Sequence, residues 1–133
     1  MKITKEFFLK KASVFLNAAK YATGLQNVTV GITVTDTLDK NQNGACRSLG
    51  SDTYEIFLNV NTDPVQLLKT ICHEMIHVKQ ISDGALQVFD TGFAWFGKFF
   101  SFGDLVYSKR PWEVEARKCE AALFTKVLSN VAA

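Results

Sequence analysis

The stretch that most constrains what this chain can become is His73-Glu74-Met75-Ile76-His77, inside a run from Asp63 to Ile81 that reads as one uninterrupted helix. Positions i and i+4 of an α-helix lie one above the other on the same face, so the imidazoles of His73 and His77 point at a common spot. Neutral imidazole is a good ligand for zinc, and Glu74, one residue along, is placed to take a proton from a water activated there. The chain has only two histidines, and both are used here. Leu67, Leu68, Ile71, Cys72, Met75, Ile76 and Val78 surround the pair, which turns it toward the interior or a cleft.

This spacing is the H-E-x-x-H signature of zinc metallopeptidases. The plain alternative is two surface histidines with Glu74 as a solvated charge, and the apolar faces of the helix argue against it. Thr62-Asp63-Pro64 opens the run: Asp63 can cap, Pro64 suits the first helical position, and Gln66 completes a capping-box pattern. Ser82-Asp83-Gly84 is the expected stop.

The rest of the sequence bounds the class. A chain of 133 residues forms one domain (residues 1–133) with a single core. Apolar residues at 47% and charged ones at 21% exclude a disordered or fibrous chain. With a net charge of +2 and no block of like charges, there is no reason to propose nucleic acid or an anionic membrane as partner. Cys46, Cys72 and Cys119 are odd in number and lack a C-x-x-C pair, so no disulfide framework is expected. Cys72 and Cys119 fall in predicted helices, where free cysteine packs as a small apolar residue. A reducing, cytoplasmic setting follows as the expectation. Glu6, Lys10 and Lys11 interrupt the apolar core that a signal peptide needs, and no run approaches the length of a membrane span.

The periodicity predicts an α+β fold. A first helix covers residues 4–22, with Thr4 as cap, Gly24 as stop, and Ile3, Phe7, Val14, Ala18 and Tyr21 at helical spacing. Val28, Val30, Ile32 and Val34 alternate with Thr29, Gly31, Thr33 and Thr35, the pattern of a half-buried strand. Residues 36–44 form a turn-rich loop. Asp39, Asn41 and Asn43 sit at alternate positions as in a calcium loop, but Gly50 stands where the closing glutamate belongs, and the flanking helices are missing. Strands at residues 45–49 and 53–60, joined through Gly50-Ser51-Asp52, complete an expected antiparallel meander of three strands. In zinc peptidases an exposed sheet edge holds an extended substrate by strand addition, and one of these strands is a candidate for that part. Residues 85–110 carry half of the chain's aromatic residues. They suggest a short hairpin turning at Gly97-Lys98, either as a roof over a small core or as an aromatic wall beside the metal. A last helix runs from Pro111 to about Val131.

A catalytic zinc site takes three protein ligands and a water. No third histidine exists, so three carboxylates and a thiol compete. Asp83 lies six residues beyond His77, but that geometry needs a sharp turn at the position of Gln80, which continues the helix. At about 100° per residue, Trp112, Cys119, Ala122 and Leu123 cluster on one side of the last helix with Glu115 among them, whereas Glu113 lines up with Arg117 and Glu120 on the polar side. An unpaired carboxylate on a buried stripe is costly and should meet a cation. That selects Glu115 as the ligand, with Glu113 left as a solvated charge or a supporting contact. A buried ion pair of Glu115 with Lys126 or Arg110 is the structural alternative, and Cys119 is the remote fourth candidate.

Two segments, His73-Glu74-Met75-Ile76-His77-Val78-Lys79-Gln80 and Tyr107-Ser108-Lys109-Arg110-Pro111-Trp112-Glu113-Val114-Glu115-Ala116, resemble the small phage and bacterial metallopeptidases of the gluzincin type. These minigluzincins, loosely called SprT-like, are a stripped zincin-like catalytic core: an N-terminal helix, a small sheet, the metal helix and a glutamate-bearing helix. The resemblance covers mainly residues 54–122 and maps the family's glutamate before alanine onto Glu115. Arg117 stands where related gluzincins often carry an aspartate that supports a histidine. The third histidine and zinc ribbon of true SprT proteins are missing, so a DNA-linked role is not implied.

The expected activity is zinc-dependent hydrolysis of a peptide or protein substrate. His73, His77 and Glu115 hold zinc, Glu74 acts as general base, and Tyr107 or Arg110 steadies the carbonyl oxygen, with Tyr107 preferred because it lies just before the last helix. The rival functions are a non-catalytic zinc-binding regulatory or interaction module that keeps the minigluzincin fold, and a structural zinc that locks two helices together.

Overall fold

The computed structural model describes residues 5–132. In chain order these form α1 (Lys5–Ala22), β1 (Thr29–Thr35), β2 (Gly44–Gly50), β3 (Thr53–Asn59), α2 (Pro64–Ser82), β4 (Leu86–Phe89), β5 (Gly92–Trp95), β6 (Lys98–Ser101), a 3-10 turn at Tyr107–Lys109, and α3 (Pro111–Ala132). This is the expected α+β architecture, with two differences in how the strands are arranged.

The first difference is topological. β3 is central, paired antiparallel with β2 and parallel with β1. The sheet is therefore mixed and not a meander: after β1 the chain crosses to the far edge, forms β2 and returns between the two. The loop at 36–43 is long enough to step over one strand position, and it is held by Asn59, whose buried side-chain amide donates to Gln42 O (3.0 Å) and Asp39 O (3.4 Å). The β2–β3 turn places Ser51 and Asp52 at positive φ (52° and 56°), which suits a tight right-twisted hairpin. Tyr54, Ile56 and Leu58 of β3 are all buried, as their alternation requires.

α2 packs across this sheet and against α1 and α3. Asp63 caps it by accepting from Val65 N (3.0 Å), Pro64 follows at the first turn, and Asp83 and Gly84 (φ +82°) end it. Leu67, Leu68, Ile71, Cys72, Met75 and Val78 join Phe15, Leu16, Ala19, the β3 residues and Val127 in one core. On α1 the buried stripe is shifted by one residue from expectation: Val14 and Tyr21 are exposed, whereas Phe15, Leu16 and Ala19 are buried and Ala18 is half-buried. Ile3, Thr4 and the side chain of Phe7 lie outside the described residues.

The second difference is in the aromatic segment, which makes a three-stranded antiparallel sheet of its own, β4–β5–β6. Its second turn falls at Phe96-Gly97, both at positive φ (48° and 83°), one residue earlier than expected. Phe93, Trp95 and Phe100 surround the buried Trp112 of α3 at ring distances of 4.8, 6.2 and 6.0 Å. The segment thus roofs the start of α3, while Phe96, Phe99 and Phe102 remain exposed. Among the described residues no helix is long and apolar enough to cross a membrane.

Candidate metal centre

The two histidines meet as helical spacing requires. Their rings lie edge to face, with centroids 4.8 Å apart and an interplanar angle of 83°. Metal-binding atoms of His73, Glu74 and His77 fall within 4.8 Å of one another, a group that could hold a metal ion. Glu74 is buried, on the side of α2 that faces β2.

The acidic partner comes from α3, and it is Glu113. Its Oε1 lies 3.0 Å from His73 Nε2, 3.1 Å from His77 Nε2 and 2.9 Å from the Tyr107 hydroxyl, which donates to it. Glu115, the carboxylate expected there, points elsewhere: it is exposed, and its Oε1 accepts from Gln80 Nε2 at 3.0 Å. The reason lies in the phase of α3. Trp112, Glu113, Ala116 and Val127 form its buried face, and Cys119, expected in the core, is exposed. Of the residues grouped with Glu113 as a polar side, Glu120 is half-buried beside this face and Arg117 is exposed at its edge. Glu120 Oε2 approaches His73 Nδ1 at 3.6 Å, and Arg117 donates to Ser108 O. What looked like a solvated stripe is the wall of the site.

The other candidates are accounted for. Asp83 pairs with Lys79 on the surface at 3.1 Å. Arg110 lies over the rings of Phe93 and Tyr107 (5.2 and 5.7 Å) and donates to Phe102 O, so it braces the aromatic sheet. Gln80, expected only to continue the helix, is buried, with Oε1 2.8 Å from His77 Nδ1. Its signal was its spacing: position i+3 from His77 is one turn along on the same face.

Donor chemistry tests whether these residues fit a metal. Two imidazole nitrogens and a carboxylate oxygen converge with N···O separations of 3.0 and 3.1 Å. Donors around a tetrahedral ion with bonds of ~2.0–2.1 Å stand about 3.3 Å apart, so small side-chain shifts would admit one. Both outer Nδ1 atoms have an oxygen nearby, from Gln80 and Glu120, the arrangement that orients ligating imidazoles. The residues fit.

The electrostatics separate the two central carboxylates. Burial pushes the Glu74 carboxyl up, and the two imidazoles offset this only in part. Burial acts against the charge of Glu113 too, but hydrogen bonds from His73, His77 and Tyr107 and the His77 charge hold its carboxyl well below the usual carboxylate range. Burial disfavours the imidazolium of His77, yet the Glu113 bond and the neighbouring negative charges of Glu74 and Glu113 raise it to about 9. The same balance raises His73. Burial and Glu113 push the Tyr107 hydroxyl up. One carboxylate is thus held ionised against the imidazoles while the other is biased toward taking up a proton.

The centre lies along a cleft. On one side is a space of about 750 Å³ bordered by the 39–44 loop, His73, Glu74, Tyr107 and Arg117. On the other is a smaller apolar space of about 240 Å³ bordered by Cys46, His77, Leu86, Val88, Phe93 and Trp112. Gln42, Gly44, Glu74 and Tyr107 line both. No protein-family model, curated protein or solved structure matches the chain.

Proposed function

We propose that this protein is a zinc-dependent peptidase of the gluzincin type, with His73, His77 and Glu113 as ligands and Glu74 as general base. The observation that carries this reading is the convergence of a single Glu113 oxygen from α3 on both Nε2 atoms of the His73–His77 pair on α2. A His-His-Glu set is borderline in softness and matches the three-ligand pattern of catalytic zinc.

When bound, zinc supplies Lewis acidity, making a water easier to deprotonate and a carbonyl easier to attack. Glu74, buried and pushed up in pKa, accepts the proton and returns it to the leaving amine. The Tyr107 hydroxyl, which gives its one hydrogen to Glu113 in the metal-free site, borders the cleft and, once Glu113 turns to the ion, is released to donate to the carbonyl oxygen as negative charge develops. Arg117 borders the same space but donates to a backbone carbonyl.

An extended peptide suits the cleft better than a small molecule does, because space opens on both sides of the centre. β2 is an edge of the mixed sheet, and its residues Gly44, Ala45 and Cys46 border that space. The substrate chain lies along β2 by strand addition, with an apolar side chain toward Leu86, Phe93 and Trp112. The test is zinc-loaded protein assayed on a mixed peptide library, beside Glu74→Gln. The variant is expected to keep one zinc per chain and lose about 10²–10⁴-fold in kcat. Cleavage by the variant at the wild-type rate would remove Glu74 from its role. No cleavage by the wild type, with zinc bound, would favour a binding module.

A further inference from the structure

Behind His77, on the side away from the cleft, Gln80 is locked in one orientation. Its Nε2 faces both Trp112 O and Glu115 Oε1 at 3.0 Å, and its Oε1 faces His77 Nδ1 at 2.8 Å. A carbonyl and a carboxylate only accept, so the amide nitrogen must face them and the amide oxygen must face the ring. His77 Nδ1 then carries the hydrogen, and in the neutral ring Nε2 keeps its lone pair. Glu113 pulls the other way: its Oε1, 3.1 Å from Nε2, would favour a proton on that nitrogen. A ring protonated at Nε2 offers no lone pair toward the cleft.

We propose that Glu115 and Gln80 are positioning residues, a hydrogen-bonded relay that holds His77 in the tautomer whose Nε2 is free to ligate. The consequence for metal binding rests on the zinc reading above; the tautomer is a property of the side chains themselves. Glu115 acts through Gln80 and not on substrate, because both line a separate groove of about 600 Å³, none of whose lining residues borders the cleft. His73 has a looser counterpart, with Glu120 Oε2 3.6 Å from Nδ1, so tautomer control is concentrated on His77.

The experiment uses the full chain as wild type, Glu115→Ala, Gln80→Leu, and the exchange pair Gln80→Glu with Glu115→Gln, each checked for intact folding by circular dichroism. Long-range ¹H–¹⁵N NMR of metal-free protein, at a pH high enough to keep the imidazole neutral, reads the tautomer. Competition with a chromophoric chelator reads the zinc Kd. Wild-type His77 is expected to be Nδ1-protonated. Gln80→Leu should move the proton to Nε2 and raise the zinc Kd about 10–100-fold. Glu115→Ala, at an exposed position, should give a tautomer mixture and up to a ~10-fold rise. The exchange pair keeps an acceptor against Nδ1 and a donor from position 115 but sets a carboxylate oxygen against Trp112 O, so it should restore the Nδ1-protonated tautomer and only part of the affinity. A wild-type ring protonated at Nε2, or variants with wild-type tautomer and affinity, would overturn the relay. The expected tautomer changes in a wild type that binds no zinc would refute the zinc reading and leave the relay standing.

Discussion

Glu113 Oε1 receives three contacts, from His73, His77 and Tyr107, at 2.9–3.1 Å. The proposed role of Glu113 as ligand depends on charge as much as shape, so Glu113→Gln is the discriminating change. In the metal-free protein that variant should bring the His77 pKa down from about 9 toward the ordinary histidine value near ~6.5, read by NMR titration. It should also weaken zinc binding by more than the roughly tenfold expected of Glu115→Ala. Equal effects of the two changes would argue against Glu113 as ligand. At this scale the histidines and Glu74 were legible because helical spacing alone brings them together. The carboxylate from α3 was not. Glu113 is buried at the end of a stripe that continues through the exposed Arg117 and the half-buried Glu120, and amphipathic reasoning assigns such a charged stripe to solvent. Ala121 and Ala122 on the exposed side blur the contrast further.

Among the elements, α3 does two jobs from its first turn: Trp112 anchors the aromatic sheet and Glu113 faces the imidazoles. Trp112 is fully buried against Phe93, Trp95 and Phe100, so Trp112→Ala should cost about 3–5 kcal/mol and loosen β4–β6, seen as a lower melting temperature and faster amide exchange there. A loss under ~1 kcal/mol would mean that the sheet is held by other contacts. Backbone approach is as restrictive at Gly92, where a Cβ would run into Phe100 O and come within 2.8 Å of Ser101 Cα. Helix limits were readable from Asp63, Pro64, Gly84 and Pro111, whose backbone chemistry acts locally. Strand order was not, because the parallel β1–β3 pairing depends on where the 36–43 loop delivers β2, and that is decided by long-range contacts such as those of Asn59. Alternation in β1 and β3 is the same in either topology.

For the whole molecule, the site and the core are largely separate. The core cluster is apolar and contains neither histidine nor Glu113, so chelation should leave most of the helix signal in circular dichroism. Loss of the fold on chelation would instead mark a structural zinc. The metal-free protein carries a pH signature. His77 is raised to about 9 from an unfolded value near ~6.5, so its imidazolium stabilises the fold fully below about pH 6.5, and that contribution is lost as pH rises through about 9. Glu74, pushed up by burial, acts in the same direction. Melting temperature without metal should therefore fall over that range, while zinc at a hundredfold excess over Kd adds about 2.7 kcal/mol and offsets the fall. A flat metal-free profile would contradict the side-chain pairing described here. Anomalous diffraction at the zinc edge from crystals of the zinc-loaded protein would locate the ion relative to these side chains. One peak is expected, about 2.0–2.2 Å from His73 Nε2, His77 Nε2 and a Glu113 oxygen. A peak that lacks Glu113, or no peak between the imidazoles, would contradict the proposed ligand set.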